Sequence, residues 1–429
     1  MRLSTSSLLK PHPPAPATPR PRLLLVAPHS SYRIAPYIDA ADRLGVDVLI
    51  ASTSEHSLVS AVAEGLRIDL HRPEQAIEYI RDAARARPFA GVIATDDAAV
   101  TLAARAAESL GLAHNAPQAV RLTHRKDLAR QRLAEHGVPV PAFRRIDLHR
   151  DLPAQARGLE YPSVIKPLSL SGSRGVIRVD DAADCVQACR RIAAIVGELP
   201  GDEERRYLLA ERYLPGIEIA VEAMLTDGAL QLLSIFDKPD PLEGPFFEET
   251  YYITPSRLDA ATQRLAARRV AEACAAYGLR NGPVHAELRL HQGEAWILEV
   301  AARTIGGQCA RLLRHGTGHG LEELVIAHAA GQPLAPQTGN RAAGVLMIPV
   351  PRAGILRRVE GLSAARRVKH VTEVEISVRD GYELVPLPEG AAYFGFIFAQ
   401  GPDPGAVEQA LREAHAALNV VTTPLWRLS

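Results

Sequence analysis

A lysine followed by a loop of serines and glycines is the strongest chemical signal in the sequence. Lys166 lies near the end of an apolar run, and residues 169–175 form a Ser- and Gly-rich stretch before a second apolar run begins. Glycine and serine let backbone N–H groups approach an anion closely, and a lysine supplies a compact positive charge. The pattern indicates a phosphate site, although a plain hairpin loop beside a surface lysine has the same local sequence.

Two acidic residues seven positions apart flank a turn further along the chain. Glu211 and Glu218 lie on either side of Leu214-Pro215-Gly216, after a strand-like run. An exposed backbone at such a turn can pair with adenine, with Glu211 near the amino group, while Glu218 can accept from ribose hydroxyls. This arrangement predicts nucleoside binding; the alternative is an ordinary strand–turn–strand with solvated acids.

A second pair of acids lies on two strand-like segments. Glu287 belongs to HAELRL and Glu299 to AWILEVA, and the segments are joined by HQGE. If the strands pair across that turn, the two carboxylates converge and offer the hard oxygen ligands that Mg²⁺ prefers. The alternative is two unrelated solvated acids, but an unpaired charge in an apolar strand is costly. Arg303, four residues after Glu299, is suited to clamp phosphate oxygens.

Other chemistries find little support in the sequence. No combined Cys/His ligand spacing among the 15 histidines supports zinc, and no GxSxG motif indicates a serine hydrolase. The four cysteines form no CxxC pair, so a reduced, cytoplasmic protein without a disulfide framework is expected. Cys309 is expected to be a small buried residue.

Composition argues against nucleic-acid and membrane partners. Lys plus Arg and Asp plus Glu both total 49, so the net charge gives no electrostatic attraction to nucleic acid or an anionic membrane. No apolar run has the length of a transmembrane helix. With 429 residues, of which 47% are hydrophobic, the chain is expected to fold into two or three domains with a substantial core.

The order of apolar runs predicts three regions after a flexible tail at residues 1–22. Residues 23–118 alternate strand-like and helix-like segments, which favours an open α/β domain with a parallel sheet. Residues 119–332 contain many strand-like runs separated by turns, as in an antiparallel α+β domain. Residues 333–429 form a further α+β region. The first strand is not followed by GxGxxG, so a dinucleotide site lacks its main support.

Taken in order, these elements resemble the ATP-grasp superfamily over residues 23–420. The resemblance implies an α/β and α+β chain with an N-terminal open α/β (pre-ATP-grasp) domain, central ATP-grasp subdomains with a lid at about 160–215, and a C-terminal α+β region. It implies that ATP and Mg²⁺, with Mn²⁺ as an alternative metal, are bound. The ATP-binding residues would be Lys126, Lys166, Ser171, Gly172, Ser173, Glu211, Tyr213, Leu214 and Glu218. Glu287 and Glu299 would hold the metal, and Lys166 and Arg303 would be catalytic.

Within the superfamily the chain resembles the L-amino acid ligases, which make dipeptides. The resemblance rests on residues 247–256 and on Glu299-Val300-Ala301-Ala302-Arg303. It implies a substrate site formed by Glu249, Tyr252, Arg303 and Gly307. Tyr252 replaces the family's usual histidine, and Gly307 stands where one such ligase has a bulky aromatic, so a larger first amino acid is expected to fit. The alternative is that Gly307 only permits a tight helix start.

The resemblance implies an ATP-dependent carboxylate–amine ligase. A carboxylate, expected to be that of an amino acid, would be activated as an acyl phosphate and then attacked by an amine, giving ADP and phosphate. One alternative is a carboxylase or purine-pathway-like ligase acting on bicarbonate or formate, and another is a non-catalytic nucleotide-binding regulator. The resemblance also admits a homodimer.

Overall fold

The computed structural model describes residues 20–53, 64–336, 339, 341–390 and 392–425. The tail expected over residues 1–22 lies outside the described residues as far as residue 19. The first strand already begins at Arg22, because the apolar residues that follow it are fully buried.

The N-terminal region is an open parallel α/β sheet, as the sequence predicts. Its four strands pair in the order β3-β2-β1-β4, all parallel. Strands β1, β2 and β4 are short and largely apolar because helices cover the sheet, whereas the edge strand β3 is largely exposed. The elements are β1 Arg22–Val26, α1 Ile34–Leu44, β2 Asp47–Ser52, β3 Glu64–Arg67, α2 Pro73–Ala86, β4 Gly91–Ala94, α3 Asp97–Ser109 and α4 Pro117–His124.

A small antiparallel sheet follows and carries the phosphate-site candidates. Its strands pair in the order β5-β8-β6-β7, and a helix packs on it through an apolar face. Asp181 caps that helix by accepting hydrogen bonds from two backbone N–H groups of its first turn. The elements are α5 Lys126–Glu135, β5 Phe143–Asp147, α6 Leu152–Arg157, β6 Ser163–Pro167, β7 Ile177–Val179, α7 Ala182–Val196, α8 Asp202–Arg206 and β8 Tyr207–Arg212.

The largest sheet has eight antiparallel strands in the order β13-β12-β9-β10-β11-β14-β18-β16. The sequence analysis places a domain boundary after residue 332, yet β14 pairs with β11, so the sheet is continuous across that position. Its first elements are β9 Ile217–Thr226, β10 Ala229–Asp237, β11 Tyr251–Thr254, α9 Ala260–Tyr277, β12 Gly282–His291, β13 Glu294–Ala301, a 3₁₀ helix Cys309–Leu312, α10 Leu313–Thr317 and α11 Leu321–Ala329.

The C-terminal elements extend this sheet and add a small one. Strands β15, β17 and β19 form a three-stranded sheet beside it. The elements are β14 Ala342–Ile348, β15 Gly354–Glu360, α12 Leu362–Ala365, β16 Val371–Ile376, β17 Glu383–Leu384, β18 Gly395–Gly401, α13 Pro404–Ala416 and β19 Asn419–Thr423.

Two further expectations concern membranes and cysteines. Within the described part of the chain, no helix combines the length and the apolar character needed to cross a membrane. All four cysteines are free and buried, including Cys309.

Candidate active site

One cavity of about 710 Å³ is lined by residues of the N-terminal α/β region, the small antiparallel sheet and the eight-stranded sheet. All fifteen site residues proposed from the sequence line it, although they come from segments between residues 126 and 307. The N-terminal domain also contributes to its wall, through Arg33, Asp96 and Asp97. The site is therefore assembled from all parts of the fold.

Lys166 and Glu211 form a buried ion pair at one end of the cavity. Lys166 lies on β6 and Glu211 on the neighbouring strand β8, and both side chains are almost fully buried. Arg130 also donates to Glu211, at 2.5 Å. Burial alone would raise the pKa of Glu211, but Arg130 and Lys166 outweigh it, so the pKa lies below the ordinary value. Glu211 is thus an anion that holds Lys166 in place.

The Glu211 carboxylate accepts from two cations of the chain, Arg130 and Lys166. Its expected place near the adenine amino group stays a prediction. The cavity wall beside it is apolar, with Tyr213 and Phe247 packed at a ring-centroid distance of 6.4 Å. Nucleobase contact by Tyr213 and Leu214, which also line the cavity, stays a prediction.

Lys126 connects the serine–glycine loop to the acidic pair. It begins helix α5, and its ammonium donates to the Leu170 carbonyl at 2.7 Å and lies 3.3 Å from Glu299. A phosphate placed here would meet positive charge from Lys126 and Lys166 on the same wall of the cavity.

The serine–glycine loop is folded over the cavity. Gly172 and Ser173 have φ values of 63° and 55°, in the left-handed region that glycine adopts most readily. The Gly175 backbone N–H donates to the Pro388 carbonyl at 2.9 Å, and the Arg174 side chain donates to the Glu389 carbonyl at 3.0 Å. In this structure the loop is therefore held against the C-terminal region.

Glu287 and Glu299 face each other as the hairpin predicts. Strands β12 and β13 pair antiparallel with these two residues directly opposite, so their side chains lie on the same face. Both line the cavity and both remain partly exposed to it.

A buried lysine that the sequence analysis did not single out lies next to this pair. The Lys238 ammonium lies 2.9 Å from Glu218, 2.7 Å from Glu249 and 3.5 Å from Glu287. Burial would lower the pKa of Lys238, but the three carboxylates outweigh it and raise the pKa well above its ordinary value. Lys238 therefore carries the positive charge that lets three acids lie so close together.

Two predicted substrate residues join the same cluster. The Tyr252 hydroxyl donates to Glu249 at 2.7 Å. Burial and the neighbouring Glu287 raise the pKa of Glu249, although Lys238 opposes them. The Glu218 carboxylate, expected at the ribose, also accepts from Arg289 at 3.0 Å and is held on two sides.

Arg303 is fixed by the N-terminal domain. Its guanidinium donates two hydrogen bonds to Asp97, at 2.8 and 2.9 Å, although the residues are 206 positions apart. Burial would raise the pKa of Asp97, but Arg303 outweighs it and lowers the pKa to about 2. The arginine is thus aimed into the cavity by a bidentate, charge-assisted pair.

Gly307 lies on the cavity wall with a left-handed φ of 60°. A Cβ atom at this position would overlap the sulfur of Met347, on strand β14. The space beside Gly307 is therefore already filled by the methionine. Gly307 also precedes the 3₁₀ helix, so the fit of a larger first amino acid and the tight helix start both stay predictions.

Sequence reasoning missed several residues of the site, namely Arg33, Asp97, Lys238, His285, Met347 and Glu375. A signal existed for Asp97, because it lies three residues after a parallel strand, where polar site residues are common. The others are brought to the site by contacts between distant segments, which local patterns do not reveal.

Three family models match consecutive parts of the chain. They describe an ATP-grasp N-terminal domain at residues 38–114, an ATP-grasp domain at 159–311 and the L-amino acid ligase C-terminal domain 2 at 346–423. The chain belongs to the ATP-grasp proteins. The third model indicates the same branch that the sequence resembles.

Relatives of this ATP-grasp protein include a solved L-amino acid ligase from Bacillus licheniformis, with a TM-score of 0.78 and 28% identity over 95% of this chain and 100% of that one. An uncharacterized protein of Sinorhizobium fredii is 22% identical over 90% of this chain and 80% of its own. The alanine–anticapsin ligase of Bacillus subtilis is 24% identical over 60% of this chain, which spans 58% of that enzyme.

Proposed function

We propose that this protein is an ADP-forming, ATP-dependent carboxylate–amine ligase whose substrates are amino acids. The observation that carries the proposal is the single cavity onto which Lys126, Lys166, Arg303 and the opposed carboxylates Glu287 and Glu299 converge. The matched ATP-grasp models and the similarity to L-amino acid ligases support it.

The residues of this chain have two roles: cations bind the phosphates and the substrate carboxylate, and carboxylates hold two of those cations in position. Lys126 and Lys166 receive the phosphates, and Arg303 meets the reacting phosphoryl group and the substrate carboxylate. Asp97 and Glu211 hold Arg303 and Lys166 in position through buried or partly buried ion pairs. Fixed charges of this kind stabilise a phosphoryl-transfer transition state without reorganising during the reaction.

The donor atoms in the cavity fit Mg²⁺. Glu287 and Glu299 present carboxylate oxygens from paired strands, and oxygen ligands from one or two carboxylates are typical for this ion. When bound, the ion would neutralise phosphate charge during transfer. Lys238 keeps the adjacent acids from repelling one another, because it contacts Glu218, Glu249 and Glu287.

In the proposed reaction the substrate carboxylate oxygen attacks the γ-phosphorus of ATP, and the bond to ADP breaks. The amine nitrogen then attacks the acyl carbon, phosphate leaves, and the amine gives up a proton. Glu249 is the acceptor proposed for a substrate ammonium, since its carboxylate is held by Lys238 and Tyr252 at the cavity wall. The serine–glycine loop excludes water from the acyl phosphate while it is docked on residues 388–389.

The test is an assay of the full chain with ATP, Mg²⁺ and pairs of amino acids, with products identified by mass spectrometry. ADP and phosphate should appear in equal amounts with an amide or dipeptide. AMP as the stoichiometric nucleotide product would overturn the mechanism. Incorporation of labelled bicarbonate without an amino acid would favour the carboxylase alternative. A cytoplasmic location and a homodimer stay predictions from the sequence.

A further inference from the structure

A row of three side chains crosses neighbouring strands on one part of the cavity wall, which we call the distal end. Met347 on β14 lies directly opposite Phe396 on β18, and Phe396 lies directly opposite Glu375 on β16. Directly opposed residues share one face of a sheet, and all three line the cavity. The distal end thus presents two apolar side chains followed by a carboxylate.

Glu375 differs from the other acids of the cavity in having no basic partner. Its carboxylate accepts only from the Gln308 amide and the Ser377 hydroxyl, each at 3.4 Å, and no cation among the described residues pairs with it. Each of the other acids that line the cavity has a cation within 4.0 Å; these are Asp96, Asp97, Glu211, Glu218, Glu249, Glu287 and Glu299.

The next row of the same sheet repeats the arrangement with its cation present. Phe398 lies opposite Glu373, two residues along from the first row. Arg311 lies 3.8 Å from the Phe398 ring centroid and forms an ion pair with Glu373. A phenylalanine and a glutamate in this register therefore hold a guanidinium between a ring face and a carboxylate.

We propose that Phe396 and Glu375 bind the positively charged side chain of a basic amino acid, which makes such an amino acid a substrate of the ligase. The inference deepens the function proposed above and rests on it for the catalytic part. The methylene stem would pack on Met347 and Phe396, and the charged tip would reach Glu375 as Arg311 reaches Glu373. Apolar walls ending in a carboxylate suit a side chain with an apolar stem and a cationic end.

The experiment compares binding of L-arginine with that of L-citrulline, which has nearly the same shape without the charge. Full-length protein is titrated calorimetrically with each amino acid in the presence of Mg²⁺ and a non-hydrolysable ATP analogue. The wild type should bind arginine about tenfold or more tighter than citrulline, as expected for a hydrogen-bonded charge pair. L-Lysine against L-norleucine gives the same comparison for an ammonium.

Glu375→Gln should abolish this preference, whereas Glu373→Gln, the matched control in the neighbouring row, should keep it. Thermal unfolding checks that both variants are folded, and Glu375→Asp, which retains the charge, should keep part of the preference. Equal binding of arginine and citrulline by the wild type, or an unchanged preference in Glu375→Gln, would overturn the assignment. Because binding needs no turnover, a preference without ligase activity would refute the catalytic proposal and the substrate role but would leave the binding site for a basic side chain in place.

Discussion

At the end of the cavity formed by Lys126, Lys166 and Arg303, each cation faces a carboxylate of the chain itself. At the end formed by Met347, Phe396 and Glu375, the carboxylate faces no cation of the described chain. The first end is therefore organised before any ligand arrives. At the second end the negative charge of Glu375 is available to pair with a positively charged ligand.

This difference separates the residues expected to determine the rate of turnover from the residues expected to determine which amino acid is preferred. Changes at the pre-organised end should lower turnover with every amino acid, because all substrates share the same phosphoryl transfer. Changes at the distal end should alter the ranking of amino acids, because only side chains reach it. The predictions below use this contrast.

The largest effect is expected at the opposed carboxylates. Glu287→Gln and Glu299→Gln should each lower turnover by about a hundredfold or more with every substrate, since each removes a charged ligand and leaves phosphate charge uncompensated. Steady-state phosphate release at saturating Mg²⁺ measures this. Glu294→Gln, on the same hairpin but paired with Arg269 outside the cavity, is the control and should stay near the wild-type rate. Near wild-type turnover in either metal-site variant would refute the assignment.

The two lysines should differ in their importance. Lys166→Ala should impair ATP use strongly, because this buried ammonium is fixed by Glu211 and has no substitute at its position. Lys126→Ala should have a smaller effect, since its ammonium lies nearer the loop and solvent can replace part of the contact. The ATP concentration dependence of turnover for both variants decides the order. Unchanged ATP affinity and rate in Lys166→Ala would contradict the placement of the phosphates.

Asp97→Asn tests whether the ion pair with Asp97 positions Arg303 for catalysis. Losing one charged partner should lower kcat/KM about tenfold with all amino acids alike. Asp82→Asn is a matched control, because this exposed acid of the same domain pairs with Arg85 on its own helix. A change in substrate ranking, rather than a uniform loss, would place Asp97 in the side-chain pocket.

The same variant has a signature in the pH dependence of stability. The folded-state pKa of Asp97 is about 2, below the ordinary value near 3.9, so its stabilising contribution is present above about pH 4 and is lost as the pH falls towards 2. Chemical unfolding should show a shallower loss of stability over that interval in Asp97→Asn. The difference should be below about 1 kcal/mol, because the carboxylate is about one-third exposed.

The sequence predicted those parts of the site whose positions follow from local pairing. The hairpin of HAELRL and AWILEVA brings Glu287 close to Glu299, and a register shift between Glu287 and Leu288 sets the two residues directly opposite each other. Lys166 and its loop could be predicted for the same reason, because the strand, the glycine-rich turn and the second strand follow one another directly in the sequence. The parallel N-terminal sheet followed from its buried apolar runs.

The parts that could not be predicted depend on distant chain segments. Asp97 meets Arg303 only because a strand of the first domain ends beside the cavity. Glu211 accepts from Arg130, which lies 81 residues away in the chain, so no local pattern indicates this pair. The Met347, Phe396 and Glu375 row requires the register of three strands, and single-sequence patterns give no information about which strands are neighbours.

The smallest effect on turnover is expected at the contact between Gly307 and Met347, which borders the distal end. Gly307→Ala places a methyl group against the methionine sulfur and puts alanine at a left-handed φ, a strain of roughly 1–2 kcal/mol in the free energy of unfolding. The displaced Met347 side chain should narrow the distal end, so turnover with long amino acids should fall several-fold relative to alanine or glycine. Gly307→Trp should shift the ranking in the same direction, provided that the protein folds.

A double-mutant cycle with Met347→Ala separates steric crowding from backbone strain. In the Met347→Ala background the added methyl group at position 307 meets no sulfur, so Gly307→Ala should cost only the backbone part and should leave the ranking of amino acids unchanged. Denaturant unfolding and catalytic efficiency across an amino-acid series measure both quantities in the four proteins. If the two substitutions add without coupling and the ranking never moves, Gly307 serves only the turn before the 3₁₀ helix, and the substrate side chain lies elsewhere. If the two substitutions couple, the distal end determines which amino acid is preferred, whereas Lys166, Glu287 and Glu299 contribute equally to turnover with every amino acid.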